Sequence, residues 1–497
     1  MNDTILGQAP LRHPDRLFIG GEWVEPSSGA MIQVVNPSTE EVFLTVAEAQ
    51  EADVHRAVSA ARAAFDQGPW PSLSHGERAS YLRQISQRLT DRWTELADLW
   101  TREMGIVRNL SGAVAPLVTG LYDYYASLAE TFPFEEHNPL PYGGFGMLVH
   151  EPVGVVAAIV PWNAPPILTA QKVAPALLAG CTIVLKASPE APASAYLLAE
   201  IADEIGLPPG VLNVVTAERE VSELLVRHPG VDKVSFTGSV AAGRKIAAIC
   251  GDRIARYTLE LGGKSAAVIL DDYELGAAAE SLAGAIQSMT GQVCAALTRV
   301  VVPRQRQDEL LEALGAAFSS IVVGDPFAPT TGMGPLATAR QRHRVEGYIA
   351  KGKAEGAVLV TGGGRPRHLD RGYFVEPTVF GKVGNDMTIA REEIFGPVVS
   401  VIPARDEAHA IAIANDTVFG LNASVFTHDA DRAYAAARQL RSGTVGHNGL
   451  KGELTLGFGG FKQSGVGREG GVEGLRAYLE SKTIILDTAP GHVADAQ

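Results

Sequence analysis

Three side chains that are far apart in the chain could together perform acyl chemistry. Cys294, one of only three cysteines, follows Gly291 in "GQVC", where small neighbours let a substrate approach its sulfur. An ordinary thiol needs a base or a positive environment to react at neutral pH. Glu260 in "LELGGK" is a candidate general base, and Asn163 in "PWNAPP" can donate to an oxyanion. Each residue alone also has a purely structural explanation, as a core thiol, a cap or a turn residue.

The composition is typical of a globular protein with two or three domains. The chain has 497 residues, of which 46% are apolar and 20% are charged. A formal net charge of −14 repels nucleic acid and anionic lipid, so we expect neither as a partner. The cysteines have no CxxC spacing, which argues against a disulfide framework or a metal site and predicts a cytoplasmic location. We expect neither export nor a membrane span, because residues 1–20 have no continuous apolar run typical of an export signal and no apolar stretch is long enough for a span.

The candidate residues lie in a part of the chain where predicted strands alternate with predicted helices. Between 151 and 270, short apolar runs such as "GVVAAIV" and "TIVLKA" are separated by longer helical stretches. Units of this length predict parallel strands with crossover helices, and therefore an open α/β sheet. Ligands of such sheets bind at the carboxyl ends of the strands, and Glu260 ends one of them.

A phosphate site is one interpretation of the turn "FTGS", residues 236–239. The turn follows a predicted strand and opens a helix, so free N–H groups and the helix dipole could face a phosphate. The segment is not GxGxxG, and a glycine required only by the turn explains it equally well. Lys186, at the end of "TIVLKA", could bind ribose hydroxyls or extend to water.

The rest of the chain predicts a scaffold, a second α/β domain and an arm. Residues 51–104 are typical of amphipathic helices that cover one face of the sheet. From about 262 the alternation is less regular and starts with a helix to about 290. Residues 131–150 break the helical pattern with Pro and Gly. The tail 474–487 ends in an apolar strand, whose exposed edge favours pairing with another chain in a dimer or tetramer.

Five segments taken together resemble the aldehyde dehydrogenase superfamily. They are "PWNAPP", "LELGGK", "GQVC", "EEIFGPV" and "FGGFKQSGVGRE", in that family's order and spacing. The resemblance extends from "FIGGEWVEP" to "YLESKTIIL". It implies an α/β fold with a Rossmann-type cofactor domain, an α/β catalytic domain and a β oligomerisation arm. The expected bounds are 1–130 with 151–261 for the cofactor domain, 262–477 for the catalytic domain, and 131–150 with 478–497 for the arm.

The resemblance implies an NAD(P)-dependent aldehyde dehydrogenase that forms a thioester on Cys294. Asn163 and the backbone N–H of Cys294 would hold the oxyanion while hydride passes to the nicotinamide. Glu260 would then activate the water that releases the carboxylic acid. Lys172 resembles a residue that supports the catalytic asparagine, and Glu469 resembles a glutamate that helps proton movement. No metal is required.

The same resemblance assigns the cofactor contacts, and the sequence departs from the family's pattern at one position beside them. The expected cofactor residues are Trp162, Lys186, Ser188, Glu190, Phe236, Gly238, Ser239, Gly262, Glu393 and Phe395. Many NAD-using relatives carry a glutamate three residues after the ribose lysine, but Pro189 stands there and Glu190 follows. Because a carboxylate repels the 2′-phosphate of NADP, its displacement weakens the case for strict NAD use. We expect NAD, with NADP as a second cofactor.

The expected substrate pocket is wider than that of relatives which prefer small aldehydes. Its lining residues are Ala164, Ile167, Gln171, Val293 and Ala295. Ala164 and Gln171 replace two aromatic rings of those relatives. We therefore expect a larger hydrophobic aldehyde, terpenoid, aromatic or branched, rather than acetaldehyde.

Two other enzymes and one non-enzyme fit part of the pattern. A cysteine-dependent hydrolase of the amidase type could use Glu260, a lysine and Cys294, but it has no reason to carry "FTGS" and "EEIFGPV". A CoA-acylating aldehyde dehydrogenase would pass the acyl group to CoA, whereas Glu260 favours water. A structural relative would have no need of Cys294 or Glu260, and both are present.

Overall fold

The computed structural model describes residues 11–491, so 1–10 of the predicted cofactor domain and 492–497 of the predicted arm lie outside the described residues. Within this described range, no helix is both long and apolar enough to cross a bilayer. The fold is α/β, with two large sheets and two small ones.

Residues 11–491 form twenty strands and sixteen α-helices, and each large sheet is built mainly from parallel strands. The strands are β1 (Leu17–Ile19), β2 (Glu22–Val24), β3 (Met31–Asn36), β4 (Glu41–Ala47), β5 (Glu135–Asn138), β6 (Phe145–Pro152), β7 (Val155–Ile159), β8 (Thr182–Ala187), β9 (Leu212–Thr216), β10 (Lys233–Thr237), β11 (Arg256–Glu260), β12 (Ala266–Ile269), β13 (Arg299–Pro303), β14 (Val358–Thr361), β15 (Thr378–Gly381), β16 (Val398–Ala404), β17 (Asn422–Phe426), β18 (Thr444–His447), β19 (Gly465–Val466) and β20 (Leu479–Leu486). The α-helices are α1 (Glu51–Asp66), α2 (His75–Asp91), α3 (Trp93–Met104), α4 (Arg108–Ala113), α5 (Ala115–Thr131), α6 (Pro165–Ala179), α7 (Ala193–Glu204), α8 (Arg219–Arg227), α9 (Val240–Asp252), α10 (Leu275–Gln287), α11 (Gln307–Ser319), α12 (Ala339–Ala354), α13 (Thr388–Arg391), α14 (Glu407–Asn415), α15 (Ala430–Ala437) and α16 (Gly471–Arg476).

The first large sheet has the strand order β19-β11-β10-β7-β8-β9-β1-β2. The strands from β11 to β9 run parallel, while β19 and β1 pair antiparallel at the two sides. The parallel strands β7, β8, β9 and β10 are buried along their whole length because helices cover both faces. Their carboxyl ends form the edge at which Asn163, Lys186 and Glu260 were expected.

The second large sheet has the strand order β14-β15-β16-β13-β12-β17-β18. All pairs run parallel except β14 with β15. The helix predicted to continue to about 290 ends at Gln287, because the backbone turns left-handed at Met289 and Thr290, with φ of 49° and 55°. This turn brings the chain back toward the first sheet just before Cys294.

The third sheet joins the two segments predicted to form an arm. β20 pairs antiparallel with β6 from Leu479 opposite Pro152 to Leu486 opposite Phe145, and β6 also pairs with β5. The bounds differ slightly from the predicted 131–150, since α5 continues to Thr131 and β6 to Pro152. The outer strand β20 leaves Ile485 67% exposed.

Candidate active site

Cys294 lies on a loop whose conformation is held by internal hydrogen bonds. Gln292 is fully buried, and its amide donates to the carbonyl of Met289 at 2.9 Å. Its side-chain oxygen accepts a hydrogen bond from the backbone N–H of Ala337 at 3.0 Å. Since non-glycine residues rarely adopt the left-handed conformation of Met289 and Thr290, the surrounding contacts must impose it. The loop presents Cys294 from a fixed backbone.

The two glycines of "LELGGK" let three segments meet at Cys294. A Cβ atom on Gly263 would lie 2.3 Å from the carbonyl oxygen of Cys294, and one on Gly262 would lie 2.2 Å from Oε2 of Glu393. The backbone N–H of Gly263 donates to Oε1 of Glu393 at 3.0 Å. The end of β11, the Cys294 loop and the Glu393 loop therefore approach as closely as only glycine allows.

Asn163 is fixed beside the Cys294 loop at the start of α6. Its side-chain amide donates to the carbonyl of Gln292 at 3.0 Å, and its own carbonyl accepts from Trp100 Nε1 at 3.3 Å. An asparagine amide carries two N–H donors, and this bond uses one of them. The second is available to an oxyanion formed next to Cys294.

Glu260 is part of a buried acidic pair and not of the cavity wall. Lys172 forms an ion pair with Glu469 and donates to Thr237 Oγ1 at 2.8 Å, and Ser235 donates to Glu469 at 3.2 Å. Among the described residues, neither carboxylate oxygen of Glu260 has a hydrogen-bond partner. Burial first, and then the charge of Glu469, raise the pKa of Glu260 well above its usual range. This arrangement favours the protonated form of Glu260.

Among the described residues, the charged groups that act most on the Cys294 thiol are carboxylates, which do not favour a reactive thiolate. Burial raises its pKa to about 12, and the carboxylates of Glu393 and Glu260 contribute to the rise. Cys294 is therefore a neutral thiol in this structure, and a proton acceptor is needed before it can react.

A cavity of about 610 Å³ opens onto Cys294. All five residues predicted for the substrate pocket line it, namely Ala164, Ile167, Gln171, Val293 and Ala295. Leu168, Met289, Leu454 and Phe458 also line it, and the sequence reasoning missed them because their motifs carried no chemical signal. The wall beside the thiol is mostly apolar.

A second cavity of about 570 Å³ adjoins the first at the carboxyl ends of the parallel strands. Seven of the predicted cofactor residues line it, namely Trp162, Lys186, Ser188, Glu190, Phe236, Gly238 and Ser239. The remaining three, Gly262, Glu393 and Phe395, line the cavity that contains Cys294. Trp162, Gly238 and Ser239 line both cavities, so the two form one continuous cleft.

The groups in this cleft fit a dinucleotide. Ser239 caps α9 by accepting from the N–H of Ala242, and the first turn of the helix lines the cleft with its positive end toward a pyrophosphate. A Cβ on Gly238 would lie 2.5 Å from the ring of Phe236, so the cradle needs glycine. Lys186 is 8% exposed, and burial lowers its pKa to about 8. Its amine is a donor for ribose hydroxyls.

Comparison with known proteins identifies the architecture. A model of the aldehyde dehydrogenase family matches residues 23–484. This chain belongs to the aldehyde dehydrogenase family. The predicted α/β fold, the enzyme class and the nicotinamide cofactor are thereby confirmed, and the predicted oxidation of an aldehyde is confirmed as the type of reaction.

Similar members of the family are known as sequences and as structures. The chain is 45% identical to geranial dehydrogenase of Castellaniella defragrans, over 95% of this chain and 98% of that protein. It is 45% identical to an aldehyde dehydrogenase of Mycobacterium tuberculosis solved with NAD+, with a TM-score of 0.92 over 95% and 98% of the two chains. It is 40% identical to a cysteine-to-alanine variant of AldC from Pseudomonas syringae solved with NAD+ and octanal, with a TM-score of 0.93 over 98% and 100% of the chains.

The displaced carboxylate of this aldehyde dehydrogenase is held at the rim of the cleft. Glu190 accepts hydrogen bonds from Ser188 at 2.5 Å and from Arg340 at 2.8 Å. Burial acts to raise the pKa of Glu190, but the hydrogen bonds from Ser188 and Arg340 outweigh it and lower the pKa. An ionised carboxylate therefore stands beside Lys186, one position later than in many relatives.

Helix α12 of this aldehyde dehydrogenase holds the loop that carries Glu393 and Phe395. Gln341 donates to the carbonyl of Phe395 at 2.6 Å, and Arg344 donates to that of Glu393 at 2.5 Å. Phe395 has a left-handed φ of 61°, which these bonds help to stabilise. The ring of Trp162 meets that of Phe395 edge to face, with ring centroids 5.5 Å apart. No motif in the sequence indicated the roles of Gln341 and Arg344.

Proposed function

We propose that this enzyme oxidises larger hydrophobic aldehydes to carboxylic acids with NAD, through a thioester on Cys294. The observation that carries the proposal is a cavity of about 610 Å³ that leads to Cys294 between small and apolar side chains. Ala164 and Gln171 line this cavity where aromatic rings would narrow it. The names of two relatives give support, since one acts on the terpenoid geranial and the other was solved with octanal.

The first step is addition of the Cys294 sulfur to the aldehyde carbon, while the thiol proton passes to water in the cleft. The negative charge that develops on the aldehyde oxygen lies within reach of the free N–H of Asn163 and the backbone N–H of Cys294. Asn163 is already oriented by its bonds to Gln292 and Trp100, so little reorganisation is needed. These donors stabilise the thiohemiacetal on Cys294.

The second step converts the thiohemiacetal to a thioester. NAD, when bound, accepts the hydride that leaves the former aldehyde carbon. Glu393 and Phe395 line the cleft beside Cys294 and are the residues that would hold the nicotinamide ribose and ring. Gln341 and Arg344 hold the loop of Glu393 and Phe395 in place, so these two residues would keep a bound nicotinamide in a fixed position.

The third step is hydrolysis of the thioester by water. Glu260 acts as the general base, which requires that it lose its proton and that its side chain rotate from its buried position toward the cavity. Glu469, which is paired with Lys172 and whose Oε2 has no partner among the described residues, is the neighbouring group that would relay this proton out of the site. The carboxylic acid leaves and Cys294 regains its proton.

Two glutamates of the chain bear on the choice of cofactor and on the choice of acyl acceptor. Glu190 at the rim of the cleft favours NAD because it repels a 2′-phosphate, whereas its ion pair with Arg340 leaves NADP as a second cofactor. Glu260 favours water over CoA as the acyl acceptor, since attack by a thiol does not require that base. A thioester product formed on addition of CoA would overturn the second choice.

For the assembly and the cellular location we keep the proposals made from the sequence, a homo-oligomer in the cytoplasm. The exposed outer strand β20 favours a closed homo-oligomer, a dimer or a tetramer. The three cysteines are free thiols, which suits the reducing cytoplasm.

The experiment is to follow absorbance of the reduced nicotinamide while purified enzyme is given NAD or NADP with aldehydes from acetaldehyde to bulky terpenoid and aromatic ones. We expect the highest kcat/KM with NAD and a bulky aldehyde, and no cofactor reduction by Cys294→Ala. The highest kcat/KM with acetaldehyde would contradict the substrate class. Full activity of Cys294→Ala would contradict the mechanism.

A further inference from the structure

Gln171 stands out among the residues of α6 that line the substrate cavity. Ile167, Leu168 and Gln171 lie on one face of α6 and line the cavity together with Ala164, the residue just before the helix. Gln171 is an amide, and the other three are apolar. At a rise of about 1.5 Å per residue, Gln171 is about 10 Å along the helix axis from Ala164. The face is therefore apolar near Asn163 and polar two turns further along.

The amide of Gln171 has no protein partner. The residue is only 3% exposed, yet its side chain makes no hydrogen bond to any residue between 11 and 491. Gln292, which is equally buried and lies in the neighbouring loop, uses both its amide nitrogen and its oxygen. The buried atoms that lack a partner do not include the amide atoms of Gln171, so water in the cavity can reach them. Gln171 is thus a donor and an acceptor that the fold leaves open toward the cavity.

We propose that Gln171 binds a hydrogen-bonding group of the substrate away from the aldehyde. This inference rests on the proposed function and deepens it. The substrate class is an aldehyde with a mostly apolar body that carries one hydroxyl, one carbonyl or one ring nitrogen. The amide can donate to any of the three groups and can also accept from a hydroxyl.

The physical reason is the loss of water when the substrate fills the cavity. A wholly apolar chain would displace water from the amide of Gln171 and give it no partner, which weakens binding. A substrate with a matching group keeps the amide paired, and sites built on such a pair reject the analogue that lacks the group. Other residues of this cavity wall are apolar and favour the apolar part of the substrate. They include Ile167 and Leu168 from the same helix face, and Met289, Leu454 and Phe458 from other segments.

The test compares matched aldehydes that differ only in one polar group. The first series is octanal against octanals with a hydroxyl or oxo group at each carbon from C3 to C7. The second is benzaldehyde against its hydroxy derivatives and the pyridine carbaldehydes. We expect wild-type enzyme to favour at least one polar member by about tenfold or more in kcat/KM, mainly through a lower KM.

Gln171→Leu removes the amide and keeps a similar volume. We expect this variant to lose the preference for the polar member while it oxidises the apolar member as well as, or better than, the wild type. The matched control is Ile167→Val, which changes the size of the same cavity without changing its polarity. We expect it to change kcat/KM for the polar and the apolar aldehyde of a pair by the same factor. Calorimetric binding of the same pairs to the Cys294→Ala protein gives the preference independently of turnover, and it also serves if Gln171→Leu does not fold.

The outcomes separate this inference from the proposed function. Oxidation of aldehydes by wild-type enzyme with no preference for any polar member, or with a preference that Gln171→Leu retains, overturns the role of Gln171 alone. A wild-type enzyme that reduces no cofactor with any aldehyde overturns the proposed function, and the role of Gln171 with it.

Discussion

The surroundings of the reactive groups in this site favour their protonated forms. Burial and neighbouring carboxylates raise the pKa of Cys294 to about 12, and burial with the charge of Glu469 raises that of Glu260. Burial also raises the pKa of Glu393 to about 7. A neutral thiol and a protonated acid lower the cost of burying these groups. Activity therefore depends on steps that remove protons from them.

The raised pKa of Glu260 predicts that steady-state oxidation increases with pH. Below this pKa the acid is protonated and cannot accept a proton from water, so the fraction of active base rises as the pH rises through the raised pKa. Glu260→Gln should lower the steady-state rate by about 100-fold or more and remove this pH dependence. Rapid-mixing absorbance should still record a first burst of reduced cofactor, because the burst precedes hydrolysis.

A matched control for this prediction is Glu312→Gln, an exposed residue of α11. It should keep the wild-type rate and pH profile. Loss of the burst together with the steady-state rate in Glu260→Gln would show that Glu260 acts before the thioester forms, and would contradict its assignment to hydrolysis.

Elements with strong periodic patterns could be predicted, and elements defined by tertiary contacts could not. The run "GVVAAIV" predicts β7 (Val155–Ile159) to within two residues because a strand buried on both faces is continuously apolar. Helix α12 was not predicted, since its charged sequence has only a weak apolar face. It supplies Gln341 and Arg344, so the support of the Glu393 loop could not be predicted either.

The Cys294 loop is a second example of structure that local sequence patterns do not predict. The apolar pattern of α10 predicted a helix to about 290, but local sequence does not indicate the left-handed Met289 and Thr290 that end it early. That conformation depends on contacts with distant residues, such as the bond from Thr290 Oγ1 to the carbonyl of Gly334 at 3.0 Å. The motif predicted which cysteine carries the reactive thiol, whereas tertiary packing determines where that thiol lies.

At the scale of the whole molecule, the exposed apolar end of β20 predicts an interface between copies of this chain. Ile485 and Leu486 are 67% and 40% exposed on an outer strand. Apolar side chains on a free strand edge favour pairing with another chain. Ile485→Asp combined with Leu486→Asp should shift the protein from a dimer or tetramer to a smaller species in size-exclusion chromatography with light scattering.

The control for this prediction is Val418→Asp, which charges a valine that is 52% exposed elsewhere on the surface. It should leave the molecular mass of the assembly unchanged. A wild-type protein that elutes as a monomer, or a doubly charged variant that keeps the wild-type mass, would contradict an interface at β20.

The most direct test of the account is the intact mass of Glu260→Gln enzyme after incubation with NAD and a bulky aldehyde. Because this variant forms the thioester but hydrolyses it slowly, we predict a mass increase equal to one acyl group per chain, located by peptide digestion on Cys294. Formation of reduced cofactor without any adduct, or an adduct on Cys181 or Cys250 with Cys294 unmodified, would contradict catalysis through a thioester on Cys294.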